Sequence, residues 1–358
     1  MRISESLHGV ADILERSIHE GRILGGHLYV SHRDDILADV GFGDVVPGIR
    51  SRAEDVCEML CATKPLTAVC VVRAAEDGLL SLDDTLARWA PAGAAPKVAA
   101  ISVRELLTHS SRLPNYLGPQ VYDRSFDDYL AAVFKSQFPD GFWEAHSVYN
   151  IAQGWHLLGW VLQQVYSLPL TDVVAETVLK PLDLTRTYLL DPGEPAKPFH
   201  RRSVEGEWVA IQNADEVARA TRLNPAYGGS ATLGDLGRLY EHLGGCLSHD
   251  GILRTTTMRQ MITDHGGLRF WHGDERRPFG LGFYLSGGAG GLGTAWDPGS
   301  FGHPGTISSR CVVAGLCDPL SNTVVAFRVS SVGTANNDLF GKVGRAIRAN
   351  LQLPLAEL

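Results

Sequence analysis

A thiol and an amine stand three residues apart in Cys61-Ala62-Thr63-Lys64. On a helix that spacing puts both side chains on one face. An ammonium there stabilises a thiolate, and a neutral amine there accepts the thiol proton, so either state activates the sulfur as a nucleophile. A helix N-terminus beside the sulfur favours negative charge as well. The chain supplies such a helix. Residues 61 to 75 read CATKPLTAVCVVRAA, an apolar helical pattern that ends near Asp77-Gly78. Pro65 fits its first turn, where the missing N–H costs little, so the helix is expected to begin almost at the cysteine. A lone C-x-x-K is common by chance, and the chemistry needs partners from elsewhere in the chain.

Those partners come in a recognisable order. Residues 106 to 114 read LLTHSSRLP, 180 to 187 read KPLDLTRT, and Ala226-Tyr227-Gly228-Gly229-Ser230 is followed by Asp235-Leu236. Gly302-His303-Pro304-Gly305 comes last. Taken together, these blocks resemble those of the penicillin-recognising, serine β-lactamase-like superfamily, in the branch of class C β-lactamases, DD-peptidases, family VIII esterases and related transacylases. In that family the blocks are S-x-x-K, LLTHTSGLP, PLGM-x-x-T, GG…S-x-x-D-L and H-x-G. Cys61 stands where the family has its serine. The resemblance spans nearly the whole chain and implies a β-lactamase/transpeptidase-like α/β fold: an antiparallel sheet flanked by helices, with an inserted all-α region.

It also implies roles. Cys61 attacks an acyl carbon, Lys64 moves the proton, and His303 lines the cleft. The main-chain N–H of Cys61 and a second N–H from the strand after the Gly305 motif form the oxyanion hole, which stabilises charge present only in the tetrahedral intermediate. Thr306 is the first choice for that second donor and Ile307 the alternative. The match weakens at the second motif, Tyr-x-Asn followed by LLG. Counting back from Leu157-Leu158-Gly159 lands on Asn150, one residue past Tyr149, whereas counting forward from Asp140-Gly141 lands on His146. Tyr149 is favoured as the acid/base, with His146 as its rival. Arg112 replaces the glycine of LLTHTSGLP, either as solvent-facing decoration or to meet a carboxylate or phosphate on a substrate. Trp143, just before the second motif, is the tryptophan best placed as a substrate platform; Trp155 and Trp160 read as packing.

The positioning elements follow from periodicity. Leu7, Val10, Ile13, Leu14 and Ile18 recur at helical spacing. HLYVS (27–31) and ILADVGFGD read as a hairpin turning at Arg33-Asp34-Asp35. Helical patterns follow at 102–109, 126–136, 154–166 and 233–243, and HGDERRP (272–278) reads as a solvated loop. CVVAGL (311–316) and TVVAFRVSS (323–331) are strands, and DLFGKVGRAIRANL is a closing helix. Strands at both ends around a helical middle suggest one sheet lobe from residues 1–80 and 265–358. Residues 81–264 would form a helical lobe, with the active site in the cleft between.

A formal charge of -8 argues against a general polyanion-binding surface, hence against nucleic acid as a partner. No apolar run approaches membrane-spanning length, and the amphipathic start is unlike a signal peptide, which points to the cytoplasm and away from membranes. The six cysteines form no zinc-like spacing and are expected as free thiols. Cys70, Cys246, Cys311 and Cys317 read as small buried hydrophobes. A redox partnership of Cys57 with Cys61 is conceivable, though the spacing is not C-x-x-C. No metal or organic cofactor is called for. A cysteine nucleophile forms a thioester, which amines attack more readily than they attack an oxygen ester. The expectation is a transacylase of specialised metabolism with a small-molecule acyl donor and an amine acceptor. An esterase or amidase of the same family and a non-catalytic binding protein on the fold are the alternatives. Oligomeric state is left open.

Overall fold

The computed structural model describes residues 3–113, 125–136, 149–190, 196–211, 223–266, 268–270, 273–285 and 296–353. At its centre is a seven-stranded sheet in the order Tyr284–Leu285, Phe301–Ile307, Arg310–Asp318, Thr323–Val329, Gly25–His32, Asp35–Val46 and Ile49–Arg50. Every neighbouring pair in it is antiparallel. The hairpin read from the sequence is present, with Arg33 and Asp34 both at positive φ (51° and 71°). That backbone turns with the right-handed twist of the flanking strands. The Gly25–His32 strand lies between its hairpin partner and Thr323–Val329, which joins the two ends of the chain into one sheet.

Alternation along the strands gives each face its own cover. Gly315 faces Tyr240 of the helix Leu233–Gly245, where a Cβ would come within 2.2 Å of the ring. Gly237 of that helix admits Tyr29 of the sheet just as closely, and the Tyr29 hydroxyl donates to Glu241 at 2.6 Å. On the opposite face Phe327 packs on Phe340 of the helix Asn336–Asn350, with ring centroids 4.5 Å apart. The helix His8–His19 lies beside that one. The helix Lys64–Glu76 is buried on nearly every side, with Lys64 through Val72 all inside, and it packs on Gln153–Tyr166. A helix apolar all round is an interior helix.

Two expectations need correction. Residues 273–277 form a strand paired with Leu268–Phe270, not a loop; the charged run masks a partner-dependent element. The middle of the chain also carries short strands. Thr187–Tyr188 and Cys57–Glu58 flank Ser230–Ala231, and His200–Arg202 pairs with Trp208–Ala210 and with Ser331–Val332. Two-residue ladders are too short to show an alternating pattern. Among the described residues no helix is long and apolar enough to cross a membrane.

The closing helix is fixed by charge as well as packing. Fully buried Arg348 reaches Asp318 at 2.9 Å and Asp297 at 3.2 Å. Burial and the hydrogen bond that protonated Asp318 donates to Asp297 hold the Asp318 carboxyl up at about 6. Arg348→Met leaves two buried carboxylates without their cation and is expected to cost about 3–5 kcal/mol at pH 8. An acid with a raised folded-state pKa contributes stability that is present at low pH and lost as pH rises through that value. Urea unfolding should therefore show a smaller loss at pH 5, where the Asp318 carboxyl can take a proton, than at pH 8.

Candidate active site

Cys61 does not open the helix; it lies in a tight 3-10 turn, Leu60–Thr63, that runs into Lys64–Glu76 with Pro65 in the first helical turn. Leu60 is left-handed (φ 48°), a conformation that costs a residue with a Cβ and persists only where its surroundings impose it. Here they do. The Thr63 hydroxyl donates to the Leu60 carbonyl at 2.6 Å and accepts the Gly229 N–H at 3.0 Å, while the Met59 N–H donates to the Gly229 carbonyl at 2.9 Å. Gly229 must be glycine for this contact, since a Cβ would sit 2.7 Å from Met59 Cε and 2.8 Å from Thr63 Oγ1. The Ala226–Ser230 block is thus the brace of the cysteine turn. Cys61 is partly exposed while Leu60, Ala62, Thr63 and Lys64 are buried.

Lys64 is fully buried and donates to the Ala226 carbonyl at 3.1 Å. Thr67 secures the neighbouring Pro225 carbonyl at 2.8 Å, and Asn224 Oδ1 accepts the N–H groups of Ala226 and Tyr227. Burial pushes the Lys64 amine below its ordinary value, against the opposing charge and hydrogen bond of Cys61. Tyr149 is shifted the other way: burial, then the Cys61 charge, then Tyr284 hold its phenol well above the ordinary range, and its side chain hydrogen-bonds Cys61. The Lys64 Nζ lies 5.2 Å from the Tyr149 ring centroid and 5.6 Å from that of Trp155. Two groups whose environments drive them apart in this way are suited to opposite proton-transfer roles, a neutral amine as base and a neutral phenol as acid.

The Tyr149 ring stacks on His109 at 4.3 Å between centroids. Asn150 is tied to its surroundings by hydrogen bonds. Its N–H donates to His109 Nδ1 at 2.9 Å, its amide donates to the Leu113 carbonyl at 3.1 Å, and its carbonyl oxygen accepts the Gly154 N–H at 2.9 Å. It clamps the segment that carries Tyr149. His303 is fully buried, its Nδ1–H donating to the Pro304 carbonyl at 2.9 Å, with its ring 6.2 Å from Tyr149 and 5.0 Å from Tyr284. Burial, with Lys64 nearby, keeps both His109 and His303 well below the ordinary imidazole range and hence neutral. Gly305 lets the strand Phe301–Ile307 press on the cysteine turn: a Cβ there would be 2.7 Å from the Met59 carbonyl oxygen and 3.0 Å from Leu60 Cβ. The ladder shifts register between Gly305 and Thr306, with Thr306 opposite Cys311 and Ile307 opposite Arg310. Thr306 is exposed and Ile307 half-buried.

His146 and Trp143 lie outside the described residues. Trp155 is buried core beside Lys64, and Trp160 packs edge-on against Phe134. Tyr284 has no place among the residues read from the sequence, and His109 enters there only as part of the LLTHSSRLP block, with no role of its own. Tyr284 reaches the site because it pairs with Gly302 across the sheet, and nothing in its local sequence signals that. Among the described residues no group of three His, Cys, Asp or Glu side chains could hold a metal. Arg112 is exposed and left-handed (φ 58°), which explains why a glycine suits that position. Arg112→Gly is expected to stabilise the chain by about 0.5–1 kcal/mol, the left-handed strain relieved minus the added freedom of the unfolded chain. A higher urea midpoint at unchanged slope would show it, and an unchanged or lower midpoint would refute it.

Comparison with known proteins bears on this arrangement. The family model described as β-lactamase matches residues 10–346. The curated relative Esterase EstB of Burkholderia gladioli is 27% identical over 317 residues, which is 76% of this chain and 78% of the relative. Among solved structures, EstCE1, described as a hydrolase with promiscuous acyltransferase activity, superposes with a TM-score of 0.77 at 20% identity, covering 96% of this chain and 98% of its own. D-amino acid amidase from Ochrobactrum anthropi SV3, complexed with L-phenylalanine amide, does so with a TM-score of 0.77 at 17% identity, covering 98% and 99%. The two superpositions establish the common fold, and the match over residues 10–346 establishes that this chain belongs to the β-lactamase family.

Proposed function

We propose that this chain is a cysteine-dependent acyltransferase that carries an acyl group from an ester or thioester donor to an amine through a thioester on Cys61. The observation that carries this reading is the convergence of Lys64 and Tyr149 on the Cys61 sulfur, the amine pushed toward its neutral form and the phenol kept protonated. Lys64 takes the thiol proton as the sulfur attacks the acyl carbon. The developing oxyanion is received by the main-chain N–H of Cys61 and that of Thr306, where the register shift releases the strand from regular pairing. The leaving group takes a proton from the Lys64–Tyr149 pair and departs. An amine then attacks the thioester, gives up its proton to the same pair, and the sulfur leaves as the amide forms.

Acyl chemistry on this fold is supported by the relatives, one described as an esterase and another as a hydrolase with promiscuous acyltransferase activity. The preference for an amine rests on the thioester, which amines attack more readily than they attack an oxygen ester. Water as acceptor is the second reading, favoured by the esterase relative.

Intact-mass measurement with a panel of ester and thioester donors should show one acyl group on the native chain and none on Cys61→Ala. Adding an amine should discharge it as amide. Release as free acid at the same rate with and without amine would make the chain a hydrolase, and full transfer by Cys61→Ala would refute the cysteine mechanism. Lys64→Met and Tyr149→Phe should each slow acylation by about 10²–10⁴-fold. For the native chain the acylation rate should rise with pH as Lys64 loses its proton, at a pH below that of an ordinary lysine. Lys64→Met should lose this limb of the profile.

A further inference from the structure

A second cysteine is built into a charged array away from the Cys61 centre. Cys57 lies in the two-residue strand Cys57–Glu58, which pairs with Ser230–Ala231 just before the cysteine turn. Its sulfur is 3.8 Å from His27 Nδ1, and His27 Nε2 is 3.2 Å from Asp55 Oδ2. The same carboxylate oxygen accepts the Arg52 N–H at 2.8 Å. Thiol, imidazole and carboxylate therefore run in the sequence that activates a cysteine nucleophile: the carboxylate holds one ring nitrogen and the other ring nitrogen faces sulfur.

A neighbouring cation makes the charge state of this array consequential. Arg328 is the cross-strand partner of His27 and is fully buried. Its guanidinium donates to the Ser330 hydroxyl at 3.2 Å and to the carbonyls of Lys197 and Pro198 at 2.8 and 3.1 Å, and its Nε has no hydrogen-bond partner. All of these acceptors are neutral. Among the described residues no carboxylate lies within ion-pair distance of it. A buried cation without a counter-charge is strongly destabilising. A Cys57 thiolate and a His27 imidazolium together with Asp55 and Arg328 make two positive and two negative charges, a neutral set.

Electrostatics run the same way. Burial pushes the Cys70, Cys311 and Cys317 thiols up, Cys70 to about 12. Cys57 is equally buried, yet Arg328 and then His27 overcome that and bring it down. Burial lowers His27, but the Cys57 charge and the Asp55 hydrogen bond outweigh it and raise the imidazole to about 9. The other charged and titratable groups facing the array are Lys197 beside Asp55, Asp39 beside His27 and His200 beside Arg328. The Asp55 carbonyl, 3.5 Å from the sulfur, is the acceptor that a protonated thiol would use instead.

We propose that Cys57, His27 and Asp55 form a second nucleophilic triad, resting as thiolate, imidazolium and carboxylate with Arg328 as counter-ion, and that it is a modification site for small peroxides. Cys57 is 1% exposed, so a reagent reaches it only through local opening, which favours an oxidant near the size of water over a bulky acyl donor. The thiolate attacks one oxygen of hydrogen peroxide, so a sulfur–oxygen bond forms and the oxygen–oxygen bond breaks. The departing hydroxide takes the proton of His27 and leaves as water. Sulfur is oxidised by two electrons, peroxide is reduced by two, and Cys57 becomes a sulfenic acid. Arg328 then loses its nearest anion, which weakens the strand leading to Cys61.

The test uses the full chain carrying Cys61→Ala, which removes the first nucleophile from every readout. Thiolate ultraviolet absorbance at neutral pH should correspond to one thiolate per chain and vanish in Cys61→Ala/Cys57→Ser. After hydrogen peroxide treatment, a sulfenic-acid-specific carbon nucleophile should label the Cys57 peptide, and the melting temperature should fall. Absence of the thiolate band would overturn the proposal. So would a thiolate that takes no label while other cysteines are oxidised. Should the Cys57→Ser chain fail to fold, peptide-mapped labelling of Cys61→Ala alone decides.

Discussion

A lysine amine held out of water at the start of a buried helix is the constraint around which this molecule is arranged. An ammonium in that place is costly because burial strips it of water, and the Tyr149 and Trp155 ring faces, the Ala226 carbonyl and Cys61 offset only part of that, beside neutral imidazoles at His109 and His303. Each neighbour comes from a different part of the chain. The helix Lys64–Glu76 is therefore buried on nearly every side, the Asn224–Ser230 segment is fastened by Asn224, Thr63 and Thr67, and Asn150 clamps the segment bearing Tyr149. The sulfur stands at the only partly open position of that turn. Burial that would be a liability in a structural lysine is, in the proposed mechanism, the means of keeping a base at hand.

Cysteine changes what such a site needs from its base. A serine hydroxyl is a poor nucleophile until its proton is nearly gone, whereas a thiol is intrinsically more nucleophilic and ionises more readily. In the proposed mechanism the stronger demand falls on geometry: Leu60 is held left-handed and the Gly305 strand is pressed against the turn, where main-chain N–H groups would meet the reacting carbonyl.

Periodic features were legible from the sequence. The hairpin at Arg33-Asp34, the long helices and the late strands all announce themselves through their spacing of apolar residues. Cys61 and Lys64 were legible because the ordered blocks of the family resemblance single out a C-x-x-K that is common by chance. Tyr149 was not fixed by counting, since the motif and the LLG that follows it are out of their usual register; its contact with Cys61 supports it, while its rival His146 lies outside the described residues. Tyr284 and His109 depend on cross-sheet and cross-loop neighbours that no local pattern encodes. The His27–Asp55–Cys57 array was hidden for a related reason: His27 reads as one residue of a strand, and its partners are set by strand register and a loop. The strand 273–277 was missed because five mostly charged residues look like solvent-facing loop until a partner is present.

Joining the central sheet from both ends of the chain has a consequence for synthesis. Leu24 donates its N–H to the Ser331 hydroxyl across 307 residues of sequence, and the strand beside it waits for a partner equally distant. At ribosomal rates of 5–20 residues per second, the amino-terminal hairpin exists for roughly 15–60 s before the strand that completes it emerges. During that interval one edge of an apolar hairpin is open to any other strand, the condition under which nascent chains pair wrongly or with one another. Contacts this far apart also place the molecule among slow-folding topologies. Yield during expression should therefore respond to translation speed and to chaperones that shield strand edges more than to the stability of the finished protein.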